Sequence, residues 1–171
     1  MKKTTLIALT ALAAIALLVP AGSAMAQSSA NASATATATI IPPITLTTTG
    51  ARQFGNVGAS TTAGTIVVSS AGVRSATLGA TAISGLPVSA AAFTVGGGAN
   101  RTFTITLPAS TTITDGTNNM TVGTFTSSLG ASSTLDGSGA AALAVGATLN
   151  VNASQPAGEY TGTFSVTVAY N

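Results

Sequence analysis

The stretch Tyr160-Thr-Gly-Thr-Phe-Ser-Val-Thr-Val-Ala-Tyr170 decides the fold class. Phe164, Val166, Val168 and Tyr170 fall in one phase; Thr163, Ser165, Thr167 and Ala169 fall in the other. Successive side chains of a strand point to opposite faces, so this C-terminal segment predicts a strand with an apolar and a polar face. Tyr160 shares the apolar phase and reads, with Tyr170, as a core residue. The same period recurs upstream. Thr102–Leu107 sets Phe103, Ile105 and Leu107 against Thr102, Thr104 and Thr106. Thr65–Ser69, Ala91–Val95, Thr111–Thr114 and Val145–Val151 are further short runs, and Arg74–Leu78 reads as the hairpin return of Thr65–Ser69. Met120–Thr126 shifts phase at Phe125, which predicts a bulge near Gly123. Turn residues separate these runs, and no helical pattern of three turns follows residue 26. The expectation is an all-β domain built as a two-sheet antiparallel sandwich.

The other end of the chain has a different character. Met1-Lys2-Lys3 is basic, Leu6–Val19 is apolar except for Thr10, and Pro20, Gly22 and the triplet Ala24-Met25-Ala26 follow. That order predicts a helical signal peptide cleaved between Ala26 and Gln27. Removing 26 of 171 residues leaves 145 and takes both lysines away. Arg52, Arg74 and Arg101 then balance Asp115, Asp136 and Glu159. A neutral chain carries no basic surface for nucleic acid or anionic lipid. Cysteine and histidine are absent from the whole sequence. The expected mature chain therefore has no disulfide, thiol nucleophile, Schiff-base lysine or imidazole base, and no soft-metal ligand. A non-catalytic protein without cofactor follows. It has no second apolar run long enough to cross a membrane, and it resides in the periplasm, outside the cell or on its surface. The expected organisation is a signal peptide over 1–26, an extension or first strand over 27–49, and a β-domain over 50–171.

The extension is the most informative piece. Ala34, Ala36, Ala38, Ile40, Pro42, Ile44 and Leu46 share one phase, with threonine at most positions between. Thirteen residues at ~3.3 Å each would span ~43 Å, about twice an ordinary strand. Pro42-Pro43 cannot donate ladder hydrogen bonds, so a break falls there. Two readings stand. In one, the strand pairs with one sheet, bends at the prolines and continues in the other sheet of the same molecule. In the other, Ser33–Ile41 leaves its own domain and pairs with an open edge of the next subunit, Ala34, Ala36, Ala38 and Ile40 facing its groove. Self-association or a periplasmic chaperone are the partners that reading implies. The function expected is that of an exported structural protein, a cell-surface or fimbria-like subunit assembled by strand pairing; a monomeric secreted or periplasmic binding module of unknown ligand is the alternative.

Other motifs read as loops. Asp115-Gly116 and Asp136-Gly137 are turns with too few carboxylates for a Ca²⁺ loop. Gly96-Gly97-Gly98 lacks the lysine and helix of a phosphate cradle. The three arginines are expected at strand ends.

Several stretches together resemble the bacterial secreted family catalogued as domain of unknown function 4402. They are Thr35-Ala-Thr-Ala-Thr-Ile-Ile-Pro-Pro-Ile44, Phe54-Gly55, Phe103-Thr-Ile-Thr-Leu-Pro108, Met120-Thr-Val122 with Phe125, Val145-Gly146, Leu149-Asn-Val151, Gln155-Pro-Ala-Gly158 and the closing strand. More distantly, the closing strand with its penultimate Tyr170 is similar to that of chaperone–usher pilins and spore-coat-U-type proteins. That likeness implies an immunoglobulin-like sandwich completed by a strand from a chaperone or a neighbouring subunit. The chain departs from it in lacking a cysteine pair and in an alanine-rich donor segment.

Overall fold

The computed structural model describes residues 29–171, so the expected cleavage site at Ala24, Ala26 and Gln27 lies outside the described residues. Among the described residues there is no helix, and none long and apolar enough to cross a membrane. Twelve strands follow one another: β1 (Thr45–Gly50), β2 (Asn56–Gly58), β3 (Gly64–Val68), β4 (Arg74–Leu78), β5 (Thr81–Ile83), β6 (Ala91–Gly96), β7 (Thr102–Thr106), β8 (Ser110–Thr114), β9 (Asn119–Ser127), β10 (Ser132–Thr134), β11 (Ala140–Val151) and β12 (Thr167–Tyr170). Every pairing is antiparallel.

The largest sheet is organised around β11. Along one edge β11 pairs with β6 over Ala140–Val145 and then with β3 over Ala147–Val151. Its other partner is β9, which in turn pairs with β8. β1 flanks β6 and β4 flanks β3, so β1 and β4 are the outer members. Gly146 sits where β11 exchanges β6 for β3. A Cβ there would lie 2.5 Å from the Ser70 nitrogen and 2.6 Å from Thr126 Oγ1, so only glycine fits. The register between β9 and β11 slips between Gly146 and Thr148, opposite Thr126 and Gly123, where the phase shift at Phe125 predicts a bulge. Thr124 takes up the slip with φ +47°. A second sheet has the order β10-β7-β12, and a small third sheet pairs β2 with β5.

Alternation explains the core. In β7 Phe103 and Ile105 are buried while Thr102, Thr104 and Thr106 are exposed. In β3 Ile66 and Val68 are buried, and β11 turns Val145, Ala147, Leu149 and Val151 the same way. The buried side chains form two clusters. One gathers Ile66, Met120, Val122, Leu149 and Val151; the other joins Val95, Leu143 and Val145 to Phe103, Ile105 and Leu135. Phe125 packs against both. The second cluster takes side chains from the inner faces of the first two sheets, so burying it fixes them against each other.

Three expectations need correction. The reading in which Ala34–Leu46 pairs with one sheet, bends at the prolines and continues in the other is not seen: residues 29–44 carry no strand and regular pairing starts only at Thr45, beyond the expected break. The prolines have no N–H for a ladder, and among the described residues no strand pairs with Ala34–Ile41. The closing segment is regular only over Thr167–Tyr170, with one isolated bridge from Thr161 to Thr114. Between them Gly162–Val166 keeps its alternation but has no strand partner. Third, β11 starts five residues before Val145, in an alanine run where size contrast cannot mark the faces.

Candidate functional site

The residues singled out by sequence fall into two groups. Ala34, Ala36, Ala38 and Ile40 are all exposed, Ile40 at 96% of its surface. Phe164, Val166, Val168 and Tyr170 are half-buried and pack together against the second core cluster. Tyr170 also uses its hydroxyl. It accepts the Gly98 N–H at 2.7 Å and donates to the Pro42 carbonyl at 2.9 Å. The last strand thus anchors the chain where it enters the domain, just before β1. The Gly96–Gly98 stretch packs here, close against Tyr170 and Leu135, as a structural loop.

Between β1 with the residues after it and the segment leading into β12, the domain opens into a cleft of about 1500 Å³. One wall is Thr48–Ala59 and the other Gln155–Phe164; the floor is the inner face of the large sheet, with Ile113, Met120, Val122, Leu149 and Val151. Both walls are held by specific bonds. Gln53 exchanges two backbone hydrogen bonds with Ser89, at 3.1 and 3.0 Å. Arg74 donates to the carbonyls of Phe54, Asn56 and Ile83 at 2.9–3.1 Å, tying that wall to β4 and β5. Opposite, Tyr160 donates to the Pro156 carbonyl and accepts from Gln155 Nε2, each at 2.8 Å. Its ring packs on the first core cluster, as the phase of the closing strand predicts. Thr111 Oγ1 donates to the Thr163 carbonyl at 2.7 Å.

The backbones facing the cleft are incompletely paired. β1 has a partner on one side only, β6. Gly162–Val166 makes no backbone–backbone hydrogen bond. Two strand-like edges therefore border a trough whose floor is apolar, and an unpaired edge is a template for another strand.

Arg52 lies in this wall. Arg74 begins β4 and Arg101 precedes β7, as expected of strand-end residues. Arg52 instead turns inward. Its guanidinium donates through Nη2 to the Val145 carbonyl, at the changeover in β11. Three rings surround it, those of Phe54, Phe125 and Phe164, at 5.4, 5.7 and 5.5 Å. Nε and Nη1 are buried without any acceptor. Desolvation pushes its pKa down to about 10. The sequence does carry a signal for this: Arg52 and Phe54 are two apart and share a face, and Phe54 is half-buried against the core.

The carboxylates serve turns. The Asn118 N–H and side-chain amide and the Thr117 N–H hold Asp115 down to about 2. The Ser138 hydroxyl and the Ala140 and Ser138 N–H groups lower Asp136 likewise. Among the described residues no three His, Cys, Asp or Glu come together as a metal site.

This geometry defines an antiparallel all-β domain whose core opens along one side, with a half-buried arginine in the wall, two of its guanidinium nitrogens screened from water. The family described as Domain of unknown function (DUF4402) matches residues 44–170, and the chain belongs to that family. No curated protein and no solved structure matches the chain.

Proposed function

We propose that the protein is an exported, non-catalytic structural subunit of a cell-surface or fimbria-like assembly, joined by strand addition. In this reading the two larger sheets form an immunoglobulin-like sandwich short of one strand, and the cleft is the place of the missing strand. The observation that carries the proposal is the coincidence of an apolar trough with two backbones short of a partner: β1, paired with β6 on one side only, and Gly162–Val166, which has no strand partner. A strand laid there satisfies the backbone on both sides and covers the side chains between.

The same chain supplies a strand of suitable kind. Residues 29–41 belong to no strand, alternate Ala with Thr over Ala34–Thr39, and carry the exposed Ile40 next. Pro42 and Pro43 fix φ near −65° and keep the residue before each of them extended. A tight reversal at that point is disfavoured, so the segment serves the cleft of another copy. A donor segment and an acceptor trough on one chain make the head-to-tail arrangement that grows open-ended chains. A periplasmic chaperone occupying the trough before assembly fits the same surface. The near absence of charge on the chain removes the repulsion that usually guards strand edges.

Sedimentation of residues 27–171 over a hundred-fold concentration range tests this. The expected result is a ladder of masses that lengthens with concentration. A single monomer mass throughout would refute assembly and favour the monomeric binding module.

A further inference from the structure

Arg52 is unusual in a chain with so little charge. Its guanidinium is screened from water and has no carboxylate beside it, desolvation being the sole cause of its lowered pKa. One arm bonds the Val145 carbonyl, while Nε and Nη1 have no acceptor. Burying a cation with unmet donors is unfavourable, and cation–π contacts offset only part of that. A methionine or leucine would fill the same space without this cost. The side chain therefore suits a bound state better than the free domain.

Its position says which bound state. Arg52 lies in the cleft wall between β1 and Gln53, on an edge an added strand would meet. Phe54 and Phe164, two of its three surrounding rings, also line the cleft and are only half-buried. A rotamer change of either ring would uncover the unmet donors, a movement on the fast side-chain timescale. The segment Ser29–Ile41 contains no acidic residue, and its apolar-phase positions Ala34, Ala36, Ala38 and Ile40 carry no side-chain acceptor, so the acceptor those positions bring is the main chain.

We propose that Arg52 staples the added strand to β11, the Val145 carbonyl taking one arm of the guanidinium and a main-chain carbonyl of the arriving strand taking another. The inference rests on the strand-addition reading above and adds a register-setting residue to it. A lysine ammonium concentrates its three donors at one point and lacks the planar fork that spans two separated carbonyls, so lysine is a poor replacement.

The test compares residues 27–171 with Arg52→Met and Arg52→Lys for association constant and melting temperature of the dissociated subunit. Arg52→Met is expected to melt within a few degrees of the parent yet associate about ten- to a hundred-fold more weakly, the range for hydrogen bonds to a charged group. Arg52→Lys keeps the cation and should also associate more weakly. It provides the comparison if the methionine variant does not fold. Parent-like association of Arg52→Lys, or of a folded Arg52→Met, overturns the staple. So does loss of association that merely follows a lost melting temperature, which marks Arg52 as subunit framework. Those results leave strand addition standing. A parent chain that never associates overturns both.

Discussion

Deleting residues 27–41 is expected to turn an associating chain into a monomer that melts within a few degrees of the parent. Within the described part of that segment, every residue from Ser29 to Ile41 is exposed and none belongs to a strand. Its removal therefore takes no core contact away. What it removes is the added strand. The contributions are unequal along its length. Ile40 is almost wholly exposed in the free chain, and its full burial contributes ~1.5–3 kcal/mol; each alanine contributes under ~1 kcal/mol. Most of the association must then come from main-chain hydrogen bonds, each worth ~0.5–1.5 kcal/mol net. Ile40→Asp in the full segment should accordingly weaken association by at least ~10-fold without abolishing it. Sedimentation and thermal melting read both effects. A deletion that unfolds the domain would show instead that the segment is an internal strand in solution.

The second large effect lies in the core. Phe103→Ala is expected to cost ~3–5 kcal/mol. Phe103 is completely buried, sits in the middle strand of the β10-β7-β12 sheet, and faces Leu135, Leu143 and Val145 across the second cluster. Its neighbours belong to several strands of two sheets, so the vacated volume cannot close by moving one element. A domain of this size has only ~5–15 kcal/mol in total, so the variant should be partly unfolded at moderate denaturant. Thr104→Ala, one residue on and exposed, should change stability by less than ~0.5 kcal/mol. Urea unfolding of the pair checks the contrast. A loss below ~1 kcal/mol for Phe103→Ala would mean that the second cluster is not a packed core.

How much of this was legible depends on what each segment encodes locally. The strands Thr102–Thr106 and Arg74–Leu78, the hairpin joining β3 to β4, and the slip near Gly123 all follow from period-two patterning and turn residues. The three-residue strands β2, β5 and β10 are too short to show a period, and exist because neighbouring elements bring them together. Ala140–Ala144 is uniform, so nothing in the residues marks the start of the longest strand. Conversely, Ala34–Ile41 and Gly162–Val166 alternate like strands but have no strand partner among the described residues. Periodicity reports what a segment is suited to; pairing depends on a second edge being present. The cleft was illegible for the same reason, since its walls lie about a hundred residues apart in the chain. Arg52 does follow the end of β1, as expected, but its inward direction is illegible locally because it depends on Phe125 and Phe164, distant in sequence.

The absence of cysteine from the sequence makes the central claim directly measurable. Ile40→Cys combined with Thr163→Cys places one thiol on the free segment and one on the exposed rim of the cleft. Under mild oxidation the double variant of residues 27–171 should give a ladder of covalent dimers, trimers and longer chains, whereas each single variant can at most form dimers. A double variant that yields only an internally bridged monomer, or no bridge beyond that of the single variants, would contradict strand addition between copies.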